Sequence, residues 1–328
     1  MSQAVPNPPP TSSVVFLRPI THPGIIIILM FAGCVRGGFS DQRSDAPADD
    51  LSTIQSDGSD SRPADLEADA PRPLRWSVPQ PLPAATVGLI EPGLRASGLE
   101  VVARNKNVHH RTVRLALDQP FGAWSVSTIA AGIEDPSFFV AGGVERAMVA
   151  LVSSGDSNRH LERCPAACDS LAACIPIPVL DVTGATIDGD IDGPSVAVLP
   201  GGEVLISHNL DTGTSKRVFL AQPLDLADLT KGLRSVEVPG IWNAVGDVDD
   251  PAISPDGLVM VLDAGSDLWI AERPDTTSSF SVPVPLDALN TSEQEASPCL
   301  AAWSGGYELF FSRSSGGVSR IYRSMGQR

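Results

Sequence analysis

From about residue 90 onward, apolar residues come in short runs cut by Pro, Gly and Asp turns. The clearest run opens at Asp249-Asp250-Pro251-Ala252-Ile253, turns at Ser254-Pro255-Asp256-Gly257, continues through residues 258–262, and ends with Asp267-Leu268-Trp269-Ile270-Ala271-Glu272-Arg273. Pro presets φ and Gly accepts positive φ, so Ser-Pro-Asp-Gly reads as a turn between two strands. No long stretch shows helical periodicity. Only residues 225–233 and 285–289 suggest short helical turns, so the pattern predicts an all-β chain.

Weaker copies flank this one. Each is anchored on a proline that opens a strand: Pro92, Pro136, Pro194, Pro251 and Pro298. A small residue follows (Gly93, Ser137, Ser195, Ala252, Cys299), then a Gly-containing turn, then an apolar strand over 99–103, 147–152, 204–207, 258–262 and 309–312. The anchors lie 44, 58, 57 and 47 residues apart. Periods near 40–50 residues with about four strands each are those of propeller blades; a β-sandwich with recurrent turns is the competing reading. Trp124-Ser125-Val126-Ser127, Ser235-Val236-Glu237-Val238-Pro239 and Phe280-Ser281-Val282-Pro283 fall where outer fourth strands belong. The fifth copy ends with its third strand at 318–323, and Trp76-Ser77-Val78-Pro79 at the front repeats the missing segment. The expectation is a five-bladed β-propeller over residues 74–328, closed by an N-terminal strand so that no sheet edge is left open.

The fourth copy, Asp250–Gly257 with Asp267-Leu268-Trp269-Ile270-Ala271, resembles the WD40-like PD40 repeat of TolB-type propellers. The resemblance covers roughly residues 91–323, and only the fourth copy carries the whole Ser-Pro-Asp-Gly. It implies a module that binds proteins. TolB-type proteins carry an additional α/β domain for which this sequence has no room, so a Tol–Pal role is not implied.

Ahead of the repeats, residues 1–34 read as a targeting segment. Arg18 and His22 precede an apolar run from Gly24 to Cys34 that is too short to span a bilayer. Phe31-Ala32-Gly33-Cys34 resembles a bacterial lipobox with Phe in place of the usual Leu, which implies a lipid-bearing Cys34 and, in a Gram-negative cell, the outer membrane. A plain cleaved signal peptide or a short anchor are the alternatives. Residues 35–73 read as a disordered linker, with nine acids between Asp41 and Asp69 against Arg43 and Arg62. Such a segment buries too little apolar area to offset its ordering entropy. The formal net charge of −16 argues against nucleic acid and against docking on anionic lipid.

The five cysteines are Cys34, Cys164, Cys168, Cys174 and Cys299. Cys164, Cys168 and Cys174 are disulfide candidates in an insertion between the second and third copies. Their spacing, even with His160 nearby, matches no common zinc pattern, and no metal or other cofactor is expected. Cys299 reads as a small residue on a crowded inner strand, with pairing to the insertion left open. His109-His110 would point to opposite faces of a strand and make a poor chelate; an exposed loop is expected there.

Candidate binding residues are the acids around the strand-opening prolines: Glu91, Glu134, Asp135, Asp192, Asp249, Asp250 and Glu295. They read either as turn caps or as a ring of carboxylates at one mouth of the channel, suited to a cation or to sugar hydroxyls. Five-bladed propellers are also similar to the arabinanase- and β-xylosidase-type glycosidases, which use three carboxylates from successive blades. By blade order that resemblance implies Glu91, Asp135 and Asp192, although Glu stands where the base is usually Asp, and no clear Glu opens the third or fourth copy. No Gly-x-Ser-x-Gly, His-Glu-x-x-His or phosphate-binding loop is present. The expectation is therefore an envelope-anchored module that binds a protein or glycan, with a glycoside hydrolase-like propeller as the alternative.

Overall fold

The structure, a computed structural model, describes residues 73–85, 88–152, 157–241 and 245–328. The proposed signal segment, Cys34 and the linker up to residue 72 lie outside the described residues.

Five antiparallel sheets follow one another along the chain. Blade 1 is Ile90–Leu94, Glu100–Asn105, Val108–Val113 and Ser125–Val126; blade 2 is Glu134–Ala141, Val144–Val152, Arg159–Pro165 and Ile175–Pro176. Blade 3 is Asp190–Val198, Val204–Asp211, Lys216–Pro223 and Leu233–Glu237, with Val179–Leu180 added in parallel at its outer edge. Blade 4 is Asp249–Ile253, Val259–Ala264, Asp267–Glu272 and Val284–Pro285, and blade 5 is Gln294–Trp303, Gly306–Ser315 and Val318–Gln327. Each inner strand touches the next, and the fifth touches the first. The expected helical turns are slight: a 3-10 turn at Leu229–Lys231, and a hydrogen-bonded turn closed by Leu289 N–H donating to the Leu286 carbonyl.

Hydrophobic burial is organised by seam. Five apolar clusters each join two adjacent blades. Met148, Leu161 and Ile206 are central between blades 2 and 3, Met260 and Ile253 between 3 and 4, and Leu309 and Phe311 between 4 and 5. Ile133 and Val149 fill the seam between blades 1 and 2, and Phe310, Leu89 and Phe121 that between 5 and 1. Alternation along the middle strands explains this arrangement. Each sheet lies between two neighbours, so successive residues such as Val259–Leu262 are buried on opposite faces. Each such side chain contributes roughly 1.5–3 kcal/mol.

The ring closes at the N-terminal segment, with a register different from the expected one. Arg75–Trp76 pairs with Gln327–Gly326, and Gln80–Pro81 pairs with Arg323–Tyr322, because the last strand continues to Gln327. Leu82, rather than Trp76, lies against Ile321, while the Trp76 indole covers Gly326, where a Cβ would come within 2.9 Å of the ring. A buried ion pair spans the same seam. Arg114 of blade 1 donates two 2.8 Å bonds to Glu308 of blade 5, their side chains being 0% and 1% exposed. Arg323 also binds Glu308, Arg114 Nε donates to the Gly98 carbonyl at 2.8 Å, and the guanidinium lies over Phe121. Blade 4 repeats half of this arrangement: Arg273 binds the Gly257 carbonyl and lies over Phe280, but its Nη2 is buried without a partner.

Other details depart from the sequence reading. His109 and His110 lie on a strand, not in an exposed loop, and His109 is 1% exposed. Burial pushes its imidazole down to about 4, so the ring is neutral. The outer strand of blade 4 begins at Val284, just beyond the expected 280–283. Cys164 and Cys174 form the disulfide, tying the loop that feeds the outer strand of blade 2, whereas Cys168 and Cys299 are free.

Candidate functional site

The five prolines lie two to four residues inside the innermost strands rather than opening them, and each strand carries a bulge at its proline. Pairing register shifts between Ile90 and Gly93, Glu134 and Ser137, Asp192 and Ser195, Asp249 and Ala252, and Ala296 and Cys299. Proline has no N–H to give to a ladder, so it sits at a bulge without losing a bond. The residue before it takes positive φ in all five blades: Glu91 53°, Asp135 46°, Gly193 56°, Asp250 42° and Ser297 51°. Four of these are not glycine, so the conformation is enforced by the surrounding sheet.

The bulges bring these five positions to one end of the axis, around a cavity of about 40 Å³ lined by Glu91, Asp135, Gly193, Asp250, Ser297 and the prolines that follow them. The small residues after the prolines let the strands crowd together. A Cβ on Gly93 would lie 2.2 Å from the Pro136 carbonyl oxygen, Ser137 Oγ accepts from Val196 N–H at 2.9 Å, and Ser195 Oγ accepts from Ile253 N–H at 3.1 Å.

Carboxylates outnumber cations at this mouth. Arg104 grips Glu91 with two nitrogens and Glu134 with a third, at 2.8 Å. Arg159 binds Asp190, Asp192 and, at 3.7 Å, Glu134, while Lys216 binds Asp249. Among the described residues neither Asp135 nor Asp250 is ion-paired, and their carboxyls stand well above the usual carboxylate range. Burial is the main cause for both, reinforced by the charges of Glu91 and Asp250 on Asp135 and of Asp263 and Asp249 on Asp250. Asp263, on the middle strand of blade 4, is pushed up to about 7 by burial, against a hydrogen bond from Ser297 N–H.

Of the seven acids singled out in the sequence, Glu91, Asp135 and Asp250 line the cavity. The Asp192 carboxylate joins them, with oxygens of Asp135, Asp192 and Asp250 all within 4.8 Å of one another. Glu134 and Asp249 stand beside the cavity, engaged by Arg104, Arg159 and Lys216. Glu295 is different. It is fully buried, accepts from Arg313 at 2.6 Å and from Thr291, and contributes nothing to the cavity lining. It lies two residues before the proline-preceding position, on the blade side of the bulge. Sequence reading passed over Asp263, Asn209 and Ser297. Asp263 sits opposite Asp249, and Asn209 opposite Asp192, in the strand register; that pairing is the signal that would have found them.

No family model and no curated protein matches the chain. Solved structures do. An endo-arabinase from Bacteroides thetaiotaomicron superposes with a TM-score of 0.50 at 9% identity, over 74% of this chain and 95% of that one. The arabinanase Arb43A of Bacillus subtilis gives 0.50 at 10% identity, over 74% and 96%. A GH43_1 enzyme from Xanthomonas citri gives 0.53 at 11% identity, over 76% and 90%. The PD40/TolB resemblance of the fourth copy finds no support among them. At such identities the likeness speaks for architecture, and what the comparisons establish is a five-bladed, all-β propeller.

Proposed function

We propose that this chain is a glycan-acting propeller of the glycoside hydrolase kind, working at the acidic end of its axis. The observation that carries the reading is the contrast between two types of carboxyl in one mouth. Asp135 and Asp250 are held above the usual carboxylate range, beside a Glu91 gripped by Arg104. Carboxyls in such different surroundings, two buried and one held by an arginine, can divide acid and base roles. Asp250, protonated, would donate to the leaving oxygen of a glycosidic bond, and Glu91, held by Arg104, would serve as base or nucleophile, with Asp135 beside both. Two of the named structural neighbours are arabinanases and the Xanthomonas citri enzyme is also solved with xylotriose bound, which makes pentose polymers the first substrates to test.

The third blade departs from a glycosidase pattern of three successive blades, because the ring position there is Gly193. A Cβ on it would lie 2.9 Å from both Cα and Oδ1 of Asp250, so the fourth blade occupies the space and takes the acid role. The same glycine favours a second reading, in which the mouth binds a glycan without cleaving it.

The test is release of reducing ends from arabinan and xylan and of nitrophenol from aryl arabinofuranosides and xylosides. Loss of a general acid or base costs about 10²–10⁴-fold, and that loss is expected for Asp250→Asn and Glu91→Gln. Retarded migration in glycan-containing gels without hydrolysis would select the binding reading. Neither cleavage nor retardation would overturn both. We further propose that the propeller works in the cell envelope, anchored through Cys34. Cys34→Ser is expected to release it from the membrane fraction, and unchanged partitioning would refute the anchor.

A further inference from the structure

The acidic mouth is one end of the propeller axis, and the opposite end carries an apolar surface. The strand registers fix which residues lie there. Each inner strand runs away from its bulge, so the turn at 95–98 and the hairpin ends Ala141–Val144 and Trp303–Gly306 stand opposite the end that holds Glu91, Asp135 and Asp250. On blade 1, Val113 pairs with Glu100 at this opposite end, and the loop that follows presents Leu115, 95% exposed, and Leu117, 48% exposed. A Cβ on Gly98 would lie 2.8 Å from Leu117 Cδ2, so the leucine loop leans on the 95–98 turn. That turn and Val113 share a groove with Val140 of blade 2, and exposed Val144 follows at the hairpin end. The charges of the groove are tied to one another, Arg95 to Glu100 and Glu145, and Arg111 to Glu100. A contiguous exposed apolar patch of this kind marks contact with a protein or a membrane. The course of the chain favours the membrane. Arg75 and Gly306 both pair with Gln327, so the chain enters the propeller at the leucine end. The 72 residues that precede the described propeller, Cys34 among them, therefore join it there and not at the mouth.

We propose that the leucine end of the propeller rests on the phospholipid surface to which the chain is anchored, with Leu115 and Leu117 set among the headgroups and the acidic mouth turned away from the bilayer. The inference rests on the envelope anchoring proposed above and does not depend on hydrolysis. A tether that joins the propeller at one end brings that end to the surface first, and it raises the effective concentration of the patch there, so two leucines need supply only a weak contact. Inserting them strips no unpaired charge of the groove from water, because Arg95, Arg111, Glu100 and Glu145 are paired among themselves. Electrostatics acts in the same direction. Asp135 and Asp250 line the mouth without an ion-pair partner among the described residues, and an anionic leaflet repels such an end. In this orientation the mouth is open to polymers lying outside the membrane.

The experiment places a polarity-sensitive nitrobenzoxadiazole probe at either end of blade 1, in the full chain carrying Cys34→Ser so that Cys34 takes no label. Leu115→Cys reports the leucine loop, and Asn107→Cys, exposed in the turn between Asn105 and Val108, reports the mouth end. Label taken up by the Cys34→Ser chain itself, through Cys168 or Cys299, is subtracted. With vesicles of phosphatidylcholine and phosphatidylethanolamine, emission from position 115 is expected to shift to the blue and to be quenched by brominated lipid, and emission from position 107 to do neither. Val144→Cys on blade 2 is expected to follow position 115, and it decides the matter if labelled Leu115→Cys does not fold. Leu117→Asp is expected to lower the lipid quenching at 115 at least about threefold, from the loss of one leucine's transfer out of water. No change at 115 and 144, or equal changes at 115 and 107, would overturn the proposal. So would a blue shift at 115 that grows with protein concentration in the absence of vesicles, which would assign the leucines to a second copy of the chain, or one that requires envelope protein in place of lipid. Anchoring is read separately by the Cys34→Ser fractionation, so a chain that is anchored yet shows no shift at 115 refutes the lipid contact alone.

Discussion

Glu308→Ala is the sharpest test of how this ring is held shut. The Arg114–Glu308 pair joins the last blade to the first with both side chains out of solvent. Removing one member of a buried pair leaves an uncompensated charge and typically costs about 3–5 kcal/mol. The two members are not equivalent. Glu308 still has Arg323 when Arg114 is lost, whereas Arg114 without Glu308 keeps only the Gly98 carbonyl and the Phe121 ring. Glu308→Ala is therefore expected to cost the full amount, Arg114→Met distinctly less, and the double variant Arg114→Met/Glu308→Leu less than the sum, since apolar replacement of both partners is often neutral. For a domain of this size the Glu308→Ala loss is a fall in Tm of roughly 6–20 °C. Urea unfolding with matched m-values is the assay. A Glu308→Ala variant within about 1 kcal/mol of wild type, a greater loss in Arg114→Met, or strict additivity would each refute the reasoning.

Four further outcomes are expected. A chain beginning after residue 73 should melt like the full chain, while one beginning after residue 83 should lose at least about 3 kcal/mol, because it lacks Trp76, Leu82 and their ladder bonds to the last strand; equal melting temperatures would refute the closure. Stability should fall as pH rises. Folding holds a proton on Asp263 that the unfolded chain releases near 4, so this contribution is present below about pH 4 and is lost as pH rises through about 7, by up to about 1.4 kcal/mol per pH unit. Asp135 and Asp250 act in the same direction, and Asp263→Asn should flatten the slope; a melting temperature constant from pH 4.5 to 7.5 would contradict it. Gly93→Ala should be far more damaging than Gly326→Ala, since the first Cβ strikes the Pro136 carbonyl of the next inner strand and the second only the Trp76 ring; similar melting temperatures would argue against the crowding. Thiol titration of the unfolded, unreduced chain should find Cys168 and Cys299 reactive and Cys164 and Cys174 protected.

Blade number and order were legible in the sequence because the strand-opening proline is a local signal that recurs with the period of the fold. The closure was legible for the same reason, since the front segment repeats the outer strands. Its register was not, because nothing local marks where the last strand ends, and pairing slid toward Gly326. The acids of the ring were visible as neighbours of proline. Which of them share a cavity depends on an offset of one or two residues from the position before each bulge proline, and this separates Glu295, locked to Arg313, from Asp250. Asn209 and Asp263 sit on middle strands, where an isolated polar residue in an apolar run gives no sign of the partner opposite. Buried His109 was misplaced because a polar dipeptide reads as loop until tertiary packing covers one face.

The proline bulge has a bearing on how such a protein diversifies. At the five ring positions the backbone conformation is set by the proline and by the neighbouring strand, and the side chain has little part in building the sheet. The chain accordingly carries Glu91, Asp135, Gly193, Asp250 and Ser297 in five equivalent places. Architecture and reactivity are thereby inherited separately: one codon at Glu91, Asp135, Asp250 or Ser297 alters what the axis can hold, and the sheets around it need not be rebuilt.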